Sequence, residues 1–253
     1  MLFFDAHCHL HDSRIRSDLP AIVRRAGMAG VTHMATCATM EENFGRTARL
    51  ADQYKAILPF FGIHPWFIHT ISSQWRNTLK TRLLASSSGV GEIGLDFTDK
   101  NADREKQTAV FEYQLALARD LGRVANIHVR KAWDAMIHIF KRFGRFETPV
   151  VIHSYSGSAE MIRAFEKFNV YFSFSGSITH PGSLKGVKNL MAVDRGRFVL
   201  ETDTPDILPY LPGQARQGLN EPANLPGIVK IAADRLETDA SALARQAYEN
   251  SLT

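Results

Sequence analysis

Short apolar runs rich in β-branched and aromatic residues alternate with longer segments of helical periodicity along the whole chain. The predicted strands are Leu2–His7, Val31–Cys37, Ile57–Ile63, Gly89–Leu95, Val124–Val129, Pro149–Ser154, Val170–Phe174 and Phe198–Thr202. The predicted helices are Leu19–Ala29, Met40–Tyr54, Ser73–Ser86, Asp103–Leu121, Lys131–Phe143, Ser158–Phe168, Ser183–Val193, Glu221–Leu236 and Asp239–Ser251. Eight strand–helix units in 253 residues match an α/β fold of the (β/α)8 TIM-barrel type, whereas a doubly wound sheet usually has fewer strands.

Composition predicts one globular domain over residues 1–253. Hydrophobic residues make up 45% and charged residues 22% of the chain, which allows a sizeable core, and no composition change or Pro/Gly/Ser-rich linker divides it. No apolar run is long enough to span a membrane, and the start lacks the pattern of a secretory signal. Cys8 and Cys37 are too few for a disulfide framework. We therefore expect a cytoplasmic protein, compatible with a monomer, with a net charge of +4 that suits an anionic substrate.

Residue types that bind metals stand at the ends of the predicted strands. These residues are His7, His9, Glu92, His128, His153 and Asp203. A barrel gathers the carboxyl ends of its strands at one face, where such enzymes place their chemistry. Buried ionisable groups are costly unless they are paired or bound to a metal, so this pattern predicts a metal centre.

The first strand supplies two of these residues in a favourable arrangement. Side chains two apart on an extended chain point to the same side, so His7 and His9 can bind one ion while Cys8 points the other way. We expect Cys8 to be a small buried side chain. His11 lies beyond the strand end, and we expect it to be exposed or to cap a turn.

Six nitrogen and oxygen ligands exceed what one tetrahedral zinc ion needs. This number suggests two divalent ions that share a bridging carboxylate, and Glu92 is the natural bridge. Two such ions can lower the pKa of a shared water and stabilise the leaving oxygen, which predicts hydrolysis of phosphate esters or amides. Asp203 could hold one ion and accept the proton of the water. Zinc, magnesium and manganese all stay open.

Several fragments, in order, resemble the TatD family of metal-dependent hydrolases, a branch of the amidohydrolase-like TIM barrels. They are Asp5–Leu10 (DAHCHL), Gly62–Pro65 (GIHP), Gly91–Asp96 (GEIGLD), Ile127–His128, His153–Gly157 (HSYSG), Glu201–Pro205 (ETDTP) and Asn220–Asn224 (NEPAN). Together they cover nearly the whole chain. The stretch Gln214–Asn220 has fewer basic residues than the family often shows there.

The resemblance implies a divalent-metal-dependent DNase, often a 3′–5′ exonuclease, with DNA or an oligonucleotide as substrate. It further implies one ion held by His7, His9, Glu92 and Asp203, and a second held by Glu92, His128 and His153. His64 and Arg130 match positions that face the substrate phosphate, and the planar fork of arginine suits an anion.

Two other functions stay open at the level of sequence. The same metal pair could serve an amidohydrolase or deacylase acting on a C–N or C–O bond. A non-catalytic scaffold would predict broken ligands, and none is broken. Trp66, Phe67 and Trp133 follow strand ends and could stack on bases, although aromatic residues near a barrel rim more often cover the core.

Overall fold

A computed structural model describes residues 1–213 and 217–253. Its strands are β1 (Phe3–Cys8), β2 (Val31–Cys37), β3 (Ile57–Phe61), β4 (Gly89–Asp96), β5 (Ala125–Arg130), β6 (Val150–Ile152), β7 (Val170–Phe174) and β8 (Phe198–Leu200). Its α-helices are α1 (Leu19–Met28), α2 (Glu41–Gln53), α3 (Trp75–Leu84), α4 (Arg104–Asp120), α5 (Trp133–Phe143), α6 (Ala159–Glu166), α7 (Leu184–Ala192), α8 (Leu225–Arg235) and α9 (Ala240–Ser251). Short 3₁₀ helices, which the sequence analysis did not predict, lie at Ser13–Ile15, Pro65–Phe67, Gly176–Thr179 and Pro222–Asn224.

Every predicted strand and helix is present, with ends that differ by a few residues. The strands follow one another in the sheet in chain order, from β1 to β8. The resolved pairings β1–β2, β3–β4, β4–β5, β5–β6 and β7–β8 are all parallel. Alternating helices with this strand order confirm the predicted (β/α)8 barrel class.

The chain forms two compact units by its internal contacts. The first comprises Met1–Thr36, His153–Arg163 and Phe172–Thr253, and the second comprises Cys37–Ile152 and Ala164–Tyr171. The single domain predicted for residues 1–253 stays a prediction. Of the Gln214–Asn220 stretch, residues 214–216 lie outside the described residues.

In the first unit, β1 and β8 are joined at the point where both strands end. The Asp203 N–H donates to the His7 carbonyl at 3.0 Å, and the His9 N–H donates to the Thr204 carbonyl at 2.6 Å. Buried Asp5 on β1 accepts from the Thr202 amide at 2.8 Å and from its hydroxyl at 2.6 Å. These bonds fix the backbone from which His7, His9 and Asp203 project.

In the second unit, β4 is buried along its whole length, as expected of a parallel strand covered on both faces. Two buried glutamines of α4 bond to backbone N–H and C=O groups at the ends of strands, where a neighbouring strand no longer supplies hydrogen-bond partners. Gln107 accepts from the Asp96 N–H and donates to its carbonyl, both at 2.9 Å. Gln114 does the same for Ile63, at 2.7 and 3.1 Å. We name these two contacts the glutamine clamps; they fix the backbone directly before His64 and at Asp96.

Gly94 lies between Glu92 and Asp96 on β4, opposite His128 of β5. Its φ of +149° is in a region that favours glycine. A Cβ at this position would clash with the His128 backbone carbonyl oxygen and would lie 2.9 Å from the His128 backbone nitrogen. The absence of a side chain at Gly94 therefore allows the strand that carries His128 to approach.

Gly94→Ala is expected to lower the free energy of unfolding by about 3 kcal/mol or more, because the added methyl group meets backbone and the φ becomes strained. Urea denaturation measures this change. Gly27→Ala in α1 is the matched control, since a Cβ at Gly27 meets nothing within 4 Å and a helical alanine stabilises by up to about 1 kcal/mol. Equal stability of the two variants would contradict the role given to Gly94.

Over residues 1–213 and 217–253, no helix combines the length and apolar character needed to cross a membrane.

Candidate functional site

The first unit brings together four of the predicted residues at the ends of β1, β6 and β8. The Nε2 atoms of His7 and His9 lie 3.1 Å apart, as expected for residues two apart on a strand. They lie 3.6 and 3.5 Å from Asp203 Oδ1. The His153 ring stacks on the His7 ring with 3.9 Å between centroids. We name His7, His9, His153 and Asp203 the first cluster.

The backbone conformation of Asp203 and the charges around it set the position and the ionisation of its side chain. Its φ is +58°, an uncommon conformation for a residue with a side chain, at the turn where the chain leaves β8. Burial raises the pKa of the Asp203 carboxyl, but the hydrogen bond from His9 and the charges of His153 and His7 outweigh burial and hold that pKa below its ordinary value. The side chain is therefore a carboxylate at neutral pH and can bind a cation.

Glu201, two residues before Asp203, orients His153. Its Oε1 accepts from the Ser154 N–H at 2.9 Å and lies 3.4 Å from His153 Nδ1. A carboxylate at Nδ1 fixes the tautomer of an imidazole and leaves the Nε2 lone pair for another partner. Burial raises the pKa of the Glu201 carboxyl, an effect that the contact with His153 partly offsets.

The second unit brings together Glu92, His128 and His64, which we name the second cluster. Glu92 Oε1 lies 3.0 Å from His128 Nδ1 and 3.4 Å from His64 Nε2. All three residues are buried. His64 Nδ1 accepts from the Trp66 N–H at 3.1 Å, so its Nε2 faces Glu92. The residue predicted to face phosphate thus stands beside a predicted metal ligand.

Asp96 orients His128 and fixes its tautomer, as Glu201 does for His153. Its Oδ2 lies 3.0 Å from His128 Nε2 and accepts from the Trp66 indole N–H at 2.9 Å. Burial raises the pKa of the Asp96 carboxyl, but hydrogen bonds from His128 and Thr98 outweigh burial and lower that pKa well below its ordinary value. A proton held at His128 Nε2 leaves the Nδ1 lone pair directed at Glu92.

Asp96 and Glu201 were not among the predicted site residues, although the sequence carries a signal for them. Asp96 shares the strand parity of Glu92 on β4, so the two side chains are expected to project to one side. Glu201 stands two residues before Asp203, close to the predicted end of the last strand. Both residues also lie within fragments that resemble the TatD family, GEIGLD (Gly91–Asp96) and ETDTP (Glu201–Pro205). Their positions in the sequence could have placed them beside the ligands, but only the structure pairs each with its histidine.

Other predicted residues have the following positions. Cys8 is fully buried and its thiol contacts the Ala35 carbonyl, as expected. His11 is buried rather than exposed, and its ring lies edge-on to His9 with 5.7 Å between centroids. Arg130 is exposed at the end of β5, whereas Phe67 and Trp133 are half-buried.

Both clusters suit a divalent cation. The ligand atoms of His7, His153 and Asp203 lie within 4.8 Å of one another, and so do those of His64, Glu92 and His128. Imidazole and carboxylate ligands together fit zinc or another transition metal, and each carboxylate also fits magnesium or manganese. Histidines oriented by a second carboxylate are the usual companions of bound metals. The protein thus has candidate metal-binding residues in each unit.

A model of the TatD-related DNase family matches residues 4–253. The chain belongs to this family. An uncharacterised metal-dependent hydrolase, YjjV of Escherichia coli K12, is 29% identical over 99% of this chain and 96% of its own. The 3′–5′ ssDNA/RNA exonuclease TatD of Edwardsiella piscicida is 29% identical over 98% of this chain and 96% of its own.

Solved structures of the TatD-related DNase family agree with this assignment. The crystal structure of E. coli YjjV has a TM-score of 0.92 and 26% identity, and the match covers 98% of this chain and 96% of that one. A TatD-family hydrolase of Entamoeba histolytica, at 17% identity and a TM-score of 0.85, covers 100% and 97% respectively and supports the fold alone. The predicted family and the predicted enzyme class, a metal-dependent hydrolase, are confirmed. The metal-ligand and substrate assignments stay predictions.

Proposed function

We propose that this protein is a divalent-metal-dependent 3′–5′ exonuclease that hydrolyses phosphodiester bonds of single-stranded DNA or oligonucleotides. The observation that carries the proposal is the pair of buried carboxylate–imidazole clusters at strand ends in a member of the TatD-related DNase family. The Edwardsiella relative, named as a 3′–5′ ssDNA/RNA exonuclease, supports the direction and the substrate. The net charge of +4 suits a polyanion.

The metal assignment belongs to the same proposal. We assign His7, His9 and Asp203 to one ion and His128 and His153 to a second, with Glu92 as the shared ligand. This division follows the family pattern. Two bound ions would supply an activated water and stabilise the leaving oxygen.

The chain's own residues then have separate tasks. Asp203 accepts the proton of the attacking water, because its carboxylate is ionised and lies beside His7 and His9, which belong to the same ion. Glu201 and Asp96 hold His153 and His128 in one tautomer and orientation. Arg130, which is exposed at the end of β5, contacts the substrate phosphate with its guanidinium. His64, which lies beside Glu92, also faces the substrate phosphate.

A single-stranded oligonucleotide with a 3′ label tests the proposal. Purified enzyme incubated with Zn²⁺, Mn²⁺ or Mg²⁺ is expected to release labelled mononucleotides, and a chelator is expected to stop the release until metal is added back. Ions at about 100 times their dissociation constant should also raise the free energy of unfolding by about 2.7 kcal/mol, visible as a lower melting temperature after chelation.

Two substrate controls make the result specific. Phosphorothioate linkages at the 3′ end should block release, whereas the same linkages at the 5′ end should not. No nucleotide release with any of the three metals, together with hydrolysis of acyl-amide compounds, would instead establish the amidohydrolase alternative.

A further inference from the structure

Trp66 is an exposed aromatic side chain beside the second cluster. Among residues 1–213 and 217–253, Trp66 and Tyr210 are the large aromatic residues that are exposed, with exposed fractions of 59% and 37%. Trp66 lies in the 3₁₀ helix Pro65–Phe67, directly after His64. Its ring centroid lies 4.8 Å from that of His64 and 6.2 Å from that of His128, and both pairs are strongly inclined.

The indole is held in place although it is exposed. Its Nε1–H donates to Asp96 Oδ2 at 2.9 Å, the same oxygen that lies 3.0 Å from His128 Nε2. Its backbone N–H donates to His64 Nδ1 at 3.1 Å. With both its ring N–H and its backbone N–H hydrogen-bonded, Trp66 has already lost much of its conformational freedom, so binding a ligand there costs little further entropy.

Core packing does not account for this arrangement. The neighbours Pro65 and Ile68 are buried and cover the core at this point. Trp66 instead presents most of its surface to solvent. The exposed face of the anchored indole suits a planar apolar ligand.

We propose that Trp66 is a specificity-determining residue that stacks on the nucleobase next to the scissile phosphodiester. This inference rests on the proposed nuclease function and adds the group by which the substrate is recognised. Stacking on an aromatic side chain accepts every base, because every base has a π-face. It also favours single strands, since a base in a duplex is already stacked on its neighbours.

Matched oligonucleotides test the inference. One carries ordinary nucleosides at the two 3′-terminal positions, and the other carries abasic tetrahydrofuran residues there with the same phosphates. The wild-type enzyme should prefer the base-bearing strand by about 5- to 100-fold in kcat/KM. Trp66→Leu should remove this preference, mainly through KM for the base-bearing strand, whereas Trp66→Phe should keep most of it because a ring remains.

Two further measurements separate recognition from structure. Leu84→Ala, which alters a 61% exposed apolar residue at the end of α3, should keep the wild-type preference. Binding of a phosphorothioate oligonucleotide to the metal-loaded enzyme should quench tryptophan fluorescence, and Trp66→Leu should lose that quenching although Trp75 and Trp133 remain.

The possible failures can be told apart. If the wild-type enzyme releases nucleotides from neither strand, the proposed nuclease function fails. If it cleaves both strands equally well, or if Trp66→Leu slows both by the same factor and keeps the quenching, the nuclease stands and the role of Trp66 is overturned. Circular dichroism and metal content of each variant show whether a loss arises from misfolding.

Discussion

Asp203→Asn is expected to lower kcat for oligonucleotide hydrolysis by about 10³-fold while leaving the fold intact. The amide keeps the shape of the side chain but is neutral and cannot accept the proton of the attacking water. In the wild type, Asp203 Oδ1 lies within 3.6 Å of His7 Nε2 and 3.5 Å of His9 Nε2. Steady-state kinetics with saturating metal, circular dichroism and elemental analysis of bound metal measure rate, fold and occupancy separately.

Asp206→Asn is the matched control for this substitution. Asp206 is an exposed carboxylate three residues further along that pairs with Arg14 at 2.8 Å, and an exposed pair of this kind contributes at most about 1 kcal/mol. Its variant should keep the wild-type rate. Near-normal activity of Asp203→Asn would remove Asp203 from the mechanism.

Glu92→Gln is expected to have an effect of similar size with a different signature. Glu92 is 3% exposed, and its Oε1 faces both His128 and His64. A neutral amide at this position therefore removes the negative charge that lies between the two imidazoles. On the proposed two-ion assignment, we expect bound metal to fall from two ions per chain to one or none. The loss of several kcal/mol of charge stabilisation corresponds to a fall in kcat of about 10³-fold.

Metal content is the deciding measurement for Glu92. Asp120→Asn serves as the control, because Asp120 is an exposed carboxylate at the end of α4. A Glu92→Gln enzyme that retains two ions and the full rate would show that Glu92 is not the shared ligand. A retained pair of ions with a lost rate would give Glu92 a part in proton transfer instead.

Strand and helix positions were predictable because each depends on a pattern of neighbours in the sequence. The alternation of strand and helix segments predicted the barrel fold. The two-residue period of a strand predicted that His7 and His9 lie side by side. The partners of the histidines were harder, since Asp96 meets His128 only through the register of β4 against β5. The burial of His11 was also not predictable, because it depends on how the chain turns after β1.

The glutamine clamps were hidden from sequence analysis for a related reason. Gln107 and Gln114 are seven residues apart on one face of α4, where polar residues ordinarily indicate solvent. Both are buried because each side-chain amide offers one donor and one acceptor, like a peptide group. A buried glutamine is favourable here because a strand end beside the helix offers a backbone N–H and a C=O for its side-chain amide, and the sequence does not show that proximity.

The glutamine clamps bind backbone atoms, which every amino acid possesses, and so they impose no requirement on the side chains nearby. The path of the chain at Ile63 and at Asp96 can be inherited unchanged while the residue at position 66 varies. Another recognition group could therefore replace the exposed indole without a change in the backbone path, provided that Asp96 Oδ2 keeps a hydrogen-bond donor. Substrate preference and structural integrity would then evolve under separate selection.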